Sequence, residues 1–245
     1  MNVVLITQAR MSSTRLPGKV MLQVQNKPLL AYHLERLERV TLADRVVVAT
    51  STNSADDLIA QFCRDRGVYF FRGDELDVLS RYYMCAKAYA ADVIVRVTSD
   101  CPVIDPDIID RVIAEYLAHR DHVDYVSNVQ TRTFPRGMDT EVFSFEALQD
   151  AYVHATAPLE REHVTPYIYR REHKYKLLSV TDIEDASSYR LTVDTEDDFR
   201  LISQVLEKLY AKNPNFTLQD MIELFSYHPE LLQINQLVRQ KELGE

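Results

Sequence analysis

Cysteine is scarce in this chain. Cys63, Cys85 and Cys101 are odd in number, and none is spaced as CxxC. Such a set builds neither a disulfide framework nor a zinc centre, and it suits a reducing compartment. Five glycines and nine prolines are too few for disordered linkers, and the chain shows no repeat and no low-complexity tract. Long hydrophobic runs are missing as well. The opening Val-Val-Leu-Ile turns polar at Thr7, which is too short for a signal peptide or a membrane span. Positive charge is in deficit: 28 Lys and Arg stand against 37 Asp and Glu, a net −9. That balance argues against a general nucleic-acid-binding surface. The expectation is a cytoplasmic protein with no membrane and no nucleic-acid partner.

What is present is a strand–helix rhythm. A chain of 245 residues, 46% hydrophobic, suffices for one large α/β domain with a substantial core. Short apolar runs at Val3–Ile6, Arg45–Thr50, Val68–Phe71 and Asp92–Val97 read as buried strands. Helical periodicity follows each. Pro28 opens a helix carrying Leu29, Leu30, His33, Leu34 and Leu37. Asn53 or Ser54 caps the next, with Leu58, Ile59 and Phe62 inward and Gly67 as its stop. Further helices span about Leu76–Ala90 and Asp105–His119. Four such units predict a mostly parallel sheet with helices on both faces. After Tyr125 the rhythm breaks, and about 129–185 reads as a protruding excursion or lid. It resumes with a strand at Tyr189–Asp194, a helix over Glu196–Ala211 and more helix over about Thr217–Leu243.

One local deficit is informative. No Asp or Glu precedes Glu35, whereas Arg10, Arg15, Lys19 and Lys27 all do. The loop after the first strand is thus a positive patch in an acidic protein, at the sheet end where open parallel sheets bind ligands. Arg forks, a Lys charge, the hydroxyls of Ser12, Ser13 and Thr14, and Gly18 compose either a polyphosphate cradle or a solvated basic loop. The spacing is neither a Walker loop nor GxGxxG. Two carboxylates stand at the same end: Asp100 after the strand ending at Val97, and Asp194 after Leu191-Thr192-Val193. They suit Mg²⁺, which takes one or two carboxylates plus phosphate oxygens and water; as alternatives, Asp194 is a helix N-cap and Asp100 a turn residue. Arg72 and Asp77 either approach a nucleotide base or ribose or belong to a helix-start cluster.

The run TQARMSSTRLPGK resembles the N-terminal signature of the cytidylyltransferases that make CMP-activated sugar acids, including CMP-Kdo and CMP-sialic acid synthetases. VVVATS, FFRGDELDVLSRYY, VIVRVTSDCPVIDP, FPRGMDTEVFS, EREHVTPYIY and YRLTVDTEDDF follow in the order of the branch that resembles the spore-coat polysaccharide protein SpsF. The likeness spans roughly residues 2–205. It implies a Rossmann-like nucleotidyltransferase fold, usually dimeric through the 129–185 excursion. It implies CTP binding by Gln8, Ala9, Arg10, Ser12, Ser13, Arg15 and Lys19, with Arg72 and Asp77 near the nucleoside. It implies Mg²⁺ on Asp100 and Asp194, and an acidic sugar in the half that carries Arg136, Asp139, Glu141, Glu162 and His163. Ser99 departs from it, standing where that motif has Gly. In the implied chemistry a sugar hydroxyl attacks the α-phosphorus of CTP and pyrophosphate leaves, with Arg10, Arg15, Lys19 and Asp100 catalytic. Two rival functions are a glycosyltransferase consuming a nucleotide sugar and a non-catalytic nucleotide-binding protein. Asp100-Cys101-Pro102 lacks the DxD pair common in the first, although Asp105-Pro106-Asp107 superficially supplies one.

Overall fold

A computed structural model describes residues 1–240. Strand β1 (Val3–Gln8) leads through the basic loop into a short hairpin, β2 (Gln23–Val24) and β3 (Lys27–Pro28), and then helix α1 (Leu29–Leu37). Next come β4 (Arg45–Ser51), α2 (Asp57–Arg66), β5 (Tyr69–Gly73), α3 (Val78–Ala88), β6 (Val93–Thr98) and α4 (Pro106–His119). The second half gives β7 (Tyr125–Ser127), β8 (Glu141–Ser144), α5 (Phe145–His154), α6 (Pro158–His163), α7 (Pro166–Tyr169), β9 (Leu177–Ser179), α8 (Glu196–Leu209) and α9 (Leu218–Tyr227).

The sheet order is β5-β4-β1-β6-β8-β7-β9. β1, β4, β5 and β6 run parallel, as the strand–helix rhythm predicts. β1 lies inside the sheet with both faces covered, which is why its sequence is continuously apolar. Val3 and Leu5 pack on one side with α1, α2, α4, α8 and α9; Val4 and Ile6 pack on the other with α3, α5 and α7. Among the described residues no helix is long and apolar enough to cross a membrane.

Three expectations change. The stretch 129–185 is not wholly a protruding excursion, because β8 inserts between β6 and β7, antiparallel to both. Val142, Phe143 and Leu148 are fully buried, so this segment completes the core. Residues 189–194 form no strand beyond an isolated bridge between Arg190 and Arg136. Leu191 and Val193 are apolar because they are buried, but their amides bond loops: Leu191 N–H donates to Arg136 O (2.7 Å) and Val193 N–H to Asp100 O (2.8 Å). Leu58 points outward, 58% exposed, whereas Ile59 is buried as predicted, together with Ala60 and Cys63. Of the predicted C-terminal helix, Leu243 lies outside the described residues.

Candidate active site

The loop after β1 is closed at its base. Met11 O accepts from both Ser13 N–H (3.0 Å) and Gly18 N–H (2.8 Å), while Met11 N–H donates to Asp56 Oδ1 (2.7 Å). Gly18 reverses the chain at φ 70°, a left-handed conformation that glycine adopts at low cost. Its turn delivers Lys19 inward, across the carboxyl ends of β1 and β6.

There Lys19 meets the predicted carboxylates. Its Nζ donates to Asp100 Oδ2 and Asp194 Oδ1, each at 2.8 Å. Arg15 Nη2 lies 3.0 Å from Asp194 Oδ2. Arg190 Nη2 donates to the same oxygen (2.9 Å), and Arg190 is itself gripped by the fully buried Asp198. Burial opposes charge on Lys19, but Asp100 and Asp194 outweigh it and raise its pKa above the usual lysine value. Burial likewise pushes Asp100 up; the charge and hydrogen bond of Lys19, with the hydroxyl of Thr98, overcome this and hold it well below the usual carboxylate range. Thr195 caps α8 through a capping box with Asp198. Asp194 is thereby left out of the cap and faces the cluster.

This cluster forms one half of a cavity of about 1090 Å³, whose walls include Gln8, Arg10, Ser13, Arg15, Lys19, Asp100 and Asp194. The other half carries Arg96, Arg132, Arg136, Asp139, Glu141, Glu162, His163 and Tyr169. Gly137 locks the halves together. At φ 106° it presses on the 189–194 segment so closely that an added Cβ would lie 2.5 Å from Leu191 O. Arg132 forks onto Asp139 (2.6 and 3.0 Å). The Arg136 guanidinium makes no hydrogen bond or ion pair among the described residues. Burial, with Arg132 nearby, lowers its pKa. Burial also lowers the pKa of His163.

Eleven of the predicted site residues therefore share one cavity: Gln8, Arg10, Ser13, Arg15, Lys19, Asp100, Asp194, Arg136, Asp139, Glu162 and His163. Four lie elsewhere. Ala9 is buried and its N–H bonds Ala49 O. Ser12 turns out to Glu75 (2.9 Å). Arg72 binds Asp57 and the carbonyls of Ser51 and Asn53. Asp77 caps α3 and pairs with Arg161 at a smaller hollow beside Arg10.

Sequence reasoning placed Glu141 in the sugar-binding half but missed its partner Arg96 in the cavity floor. Arg96 pairs with Glu141 in register across β6 and β8, and Glu141 Oε1 accepts from Tyr125 Oη and Thr165 Oγ1, each at 2.6 Å. A signal was available, because one arginine interrupts Val93-Ile94-Val95-Arg96-Val97. Arg190 and Asp198 were missed too, being distinguished only by their contacts.

As a metal donor set, Asp100 and Asp194 fit a hard divalent cation, since their oxygens converge on one cationic centre, the Lys19 ammonium. Among the described residues no third His, Cys, Asp or Glu completes a cluster. Phosphate oxygens and water would fill the remaining positions, the usual manner for Mg²⁺.

A mostly parallel sheet with cations and carboxylates gathered beyond its strand ends defines the nucleotide-handling α/β enzymes, in which ligands sit at that edge. Comparison with known proteins narrows the class. Residues 4–242 match the family model described as cytidylyltransferase. The chain is 37% identical to the uncharacterized protein MJ1063 of Methanocaldococcus jannaschii, covering 100% of this chain and 99% of that protein. It is 31% identical to the spore coat polysaccharide biosynthesis protein SpsF of Bacillus subtilis, covering 94% and 96%. A solved cytidylyltransferase structure from Leptospira borgpetersenii superposes with a TM-score of 0.91 at 35% identity, covering 99% of each chain. The chain belongs to the cytidylyltransferase family.

Proposed function

We propose that this enzyme is Mg²⁺-dependent and transfers CMP from CTP to a small acidic sugar, releasing pyrophosphate, for surface polysaccharide synthesis. The observation that carries the proposal is one cavity with Lys19, Arg15, Asp100 and Asp194 at one side and the Arg136 guanidinium, without a hydrogen bond or ion pair among the described residues, at the other. Arg10, Arg15 and Lys19 bind the triphosphate and neutralise charge as the bond from the α-phosphorus to pyrophosphate breaks. Ser13 and Gln8 add polar contacts. Asp100 and Asp194 hold the metal, which when bound polarises the α-phosphate. Arg136 pairs with the sugar carboxylate, and Asp139, Glu162 and His163 orient its hydroxyls towards the α-phosphorus. Ala9 and Ser12 act through the loop they belong to, Asp77 borders the smaller hollow beside Arg10, and Arg72 anchors the end of β4 through the carbonyls of Ser51 and Asn53.

The enzyme acts as a cytoplasmic homodimer. Its three cysteines are free and buried, in keeping with a reducing compartment, and light scattering reads the dimer directly. The function is tested by measuring pyrophosphate release with each of the four NTPs, Mg²⁺ and a panel of sugar acids. Release with CTP that chelation abolishes is expected. Release with a purine triphosphate instead, or turnover unaffected by chelation, defeats the proposal.

A further inference from the structure

Behind the loop that carries Asp100 lies a line of buried polar groups, of which Ser99 alone borders the cavity. Thr7, His33 and Ser99 are each 0–1% exposed, between β1, α1 and the end of β6. Thr7 Oγ1 lies 2.9 Å from His33 Nε2 and 2.8 Å from Ser99 Oγ, and His33 Nδ1 lies 2.9 Å from Cys101 O.

The protons in this line follow from chemistry. A carbonyl oxygen only accepts, so Nδ1 carries the hydrogen and donates to Cys101. Burial keeps the ring neutral, with its pKa lowered to about 4, so Nε2 is an acceptor and Thr7 donates to it. Thr7 has then spent its hydrogen and accepts from Ser99. The result is a directed chain from Ser99 through Thr7 to His33 and on to Cys101. Its two ends are the residues on either side of Asp100.

Other contacts hold Asp100 itself. Its carbonyl accepts from Val193 N–H (2.8 Å) and Thr192 Oγ1 (3.2 Å), and its Oδ1 accepts from Thr98 Oγ1 (2.6 Å). The flanking backbone is held by Ser99 N–H to Gln8 O (3.2 Å) and Cys101 N–H to Thr98 O (3.3 Å), both long bonds, and the side-chain line adds a second restraint from behind. Apolar residues would fill the same space without the need to satisfy every donor and acceptor. The departure at residue 99 also finds a use here, because a glycine there would leave Thr7 without its donor.

Resting on the cytidylyltransferase proposal, we propose that Thr7, His33 and Ser99 are positioning residues for Asp100, fixing the backbone on both sides of it so that its carboxylate holds one direction in the cavity. Partners that orient a ligand from behind typically contribute about 10- to 100-fold to metal affinity or activity.

The test is calorimetric titration of the full chain with CTP, with and without Mn²⁺. Thr7→Val keeps the β-branched shape of a strand residue and deletes only the hydroxyl. It should lower the Mn²⁺-dependent gain in CTP affinity by about ten-fold or more, leaving CTP affinity without metal unchanged. Thr7→Ser, which keeps the hydroxyl, should restore the gain. In an Asp100→Asn background Thr7→Val should change nothing further, whereas a merely structural role would weaken both backgrounds alike. A folded Thr7→Val protein with the full metal-dependent gain, or an equal loss in both backgrounds, overturns the inference. If the unsubstituted protein shows no metal-dependent CTP binding, the cytidylyltransferase proposal itself falls and takes this inference with it.

Discussion

Acid should weaken the fold through one histidine. His33 is fully buried, and burial lowers its pKa from 6.5 to about 4. In the unfolded chain the ring takes a proton below about 6.5, while the folded ring stays neutral down to about 4. Between those values the unfolded state binds one proton more. The free energy of unfolding therefore falls as pH falls, by about 1.4 kcal/mol per unit and about 3 kcal/mol across the window. This is a large share of a typical stability of about 5–15 kcal/mol. Urea denaturation at intervals from pH 7 to pH 4.5 measures it, with His33→Gln as the comparator. The variant starts lower because it loses buried hydrogen bonds, but its curve should be flatter by about one proton. Asp100 and Asp198, held below the carboxylate range, contribute stability that is lost only at lower pH, and they cancel between the two proteins. Parallel stability curves over this range would refute the reasoning.

Three further outcomes are expected. Arg15→Ala should cut kcat by about 10²–10³-fold, the cost of one lost electrostatic donor, with the thermal midpoint nearly unchanged; steady-state kinetics and calorimetry check both. Gly137→Ala should cost about 1–3 kcal/mol, because it combines a left-handed φ with a Cβ driven into Leu191 O, and turnover should fall with it as the segment leading to Asp194 is displaced. Asp198→Ala should destabilise by about 3–5 kcal/mol in urea denaturation, since it leaves the largely buried Arg190 without its main partner.

Much of this was legible in the sequence, for physical reasons that differ from element to element. Strands buried on both faces must be apolar throughout, so β1, β4 and β6 were readable as runs. Lys19 stood out because no acid precedes Glu35, yet its position between Asp100 and Asp194 depends on Gly18 turning the loop inward. Residues 189–194 misled because Leu191 and Val193 are apolar for core packing, a pattern that looks the same whether amides bond a strand or a loop. β8 was hidden by its brevity and by an antiparallel direction that the strand–helix rhythm does not announce. The Arg96–Glu141 pair is joined by a register that only the folded sheet sets.

That inserted strand also limits how the enzyme can move. β6 ends at the Asp100 loop, and β8 begins at Glu141 in the opposite half of the cavity. The two strands are paired over four residues, from Val93 with Ser144 to Arg96 with Glu141. Both halves of the cleft are thus built on one continuous sheet. Any closure around substrates has to come from the loops at its rim, so the distance between the two floors is set before either substrate arrives.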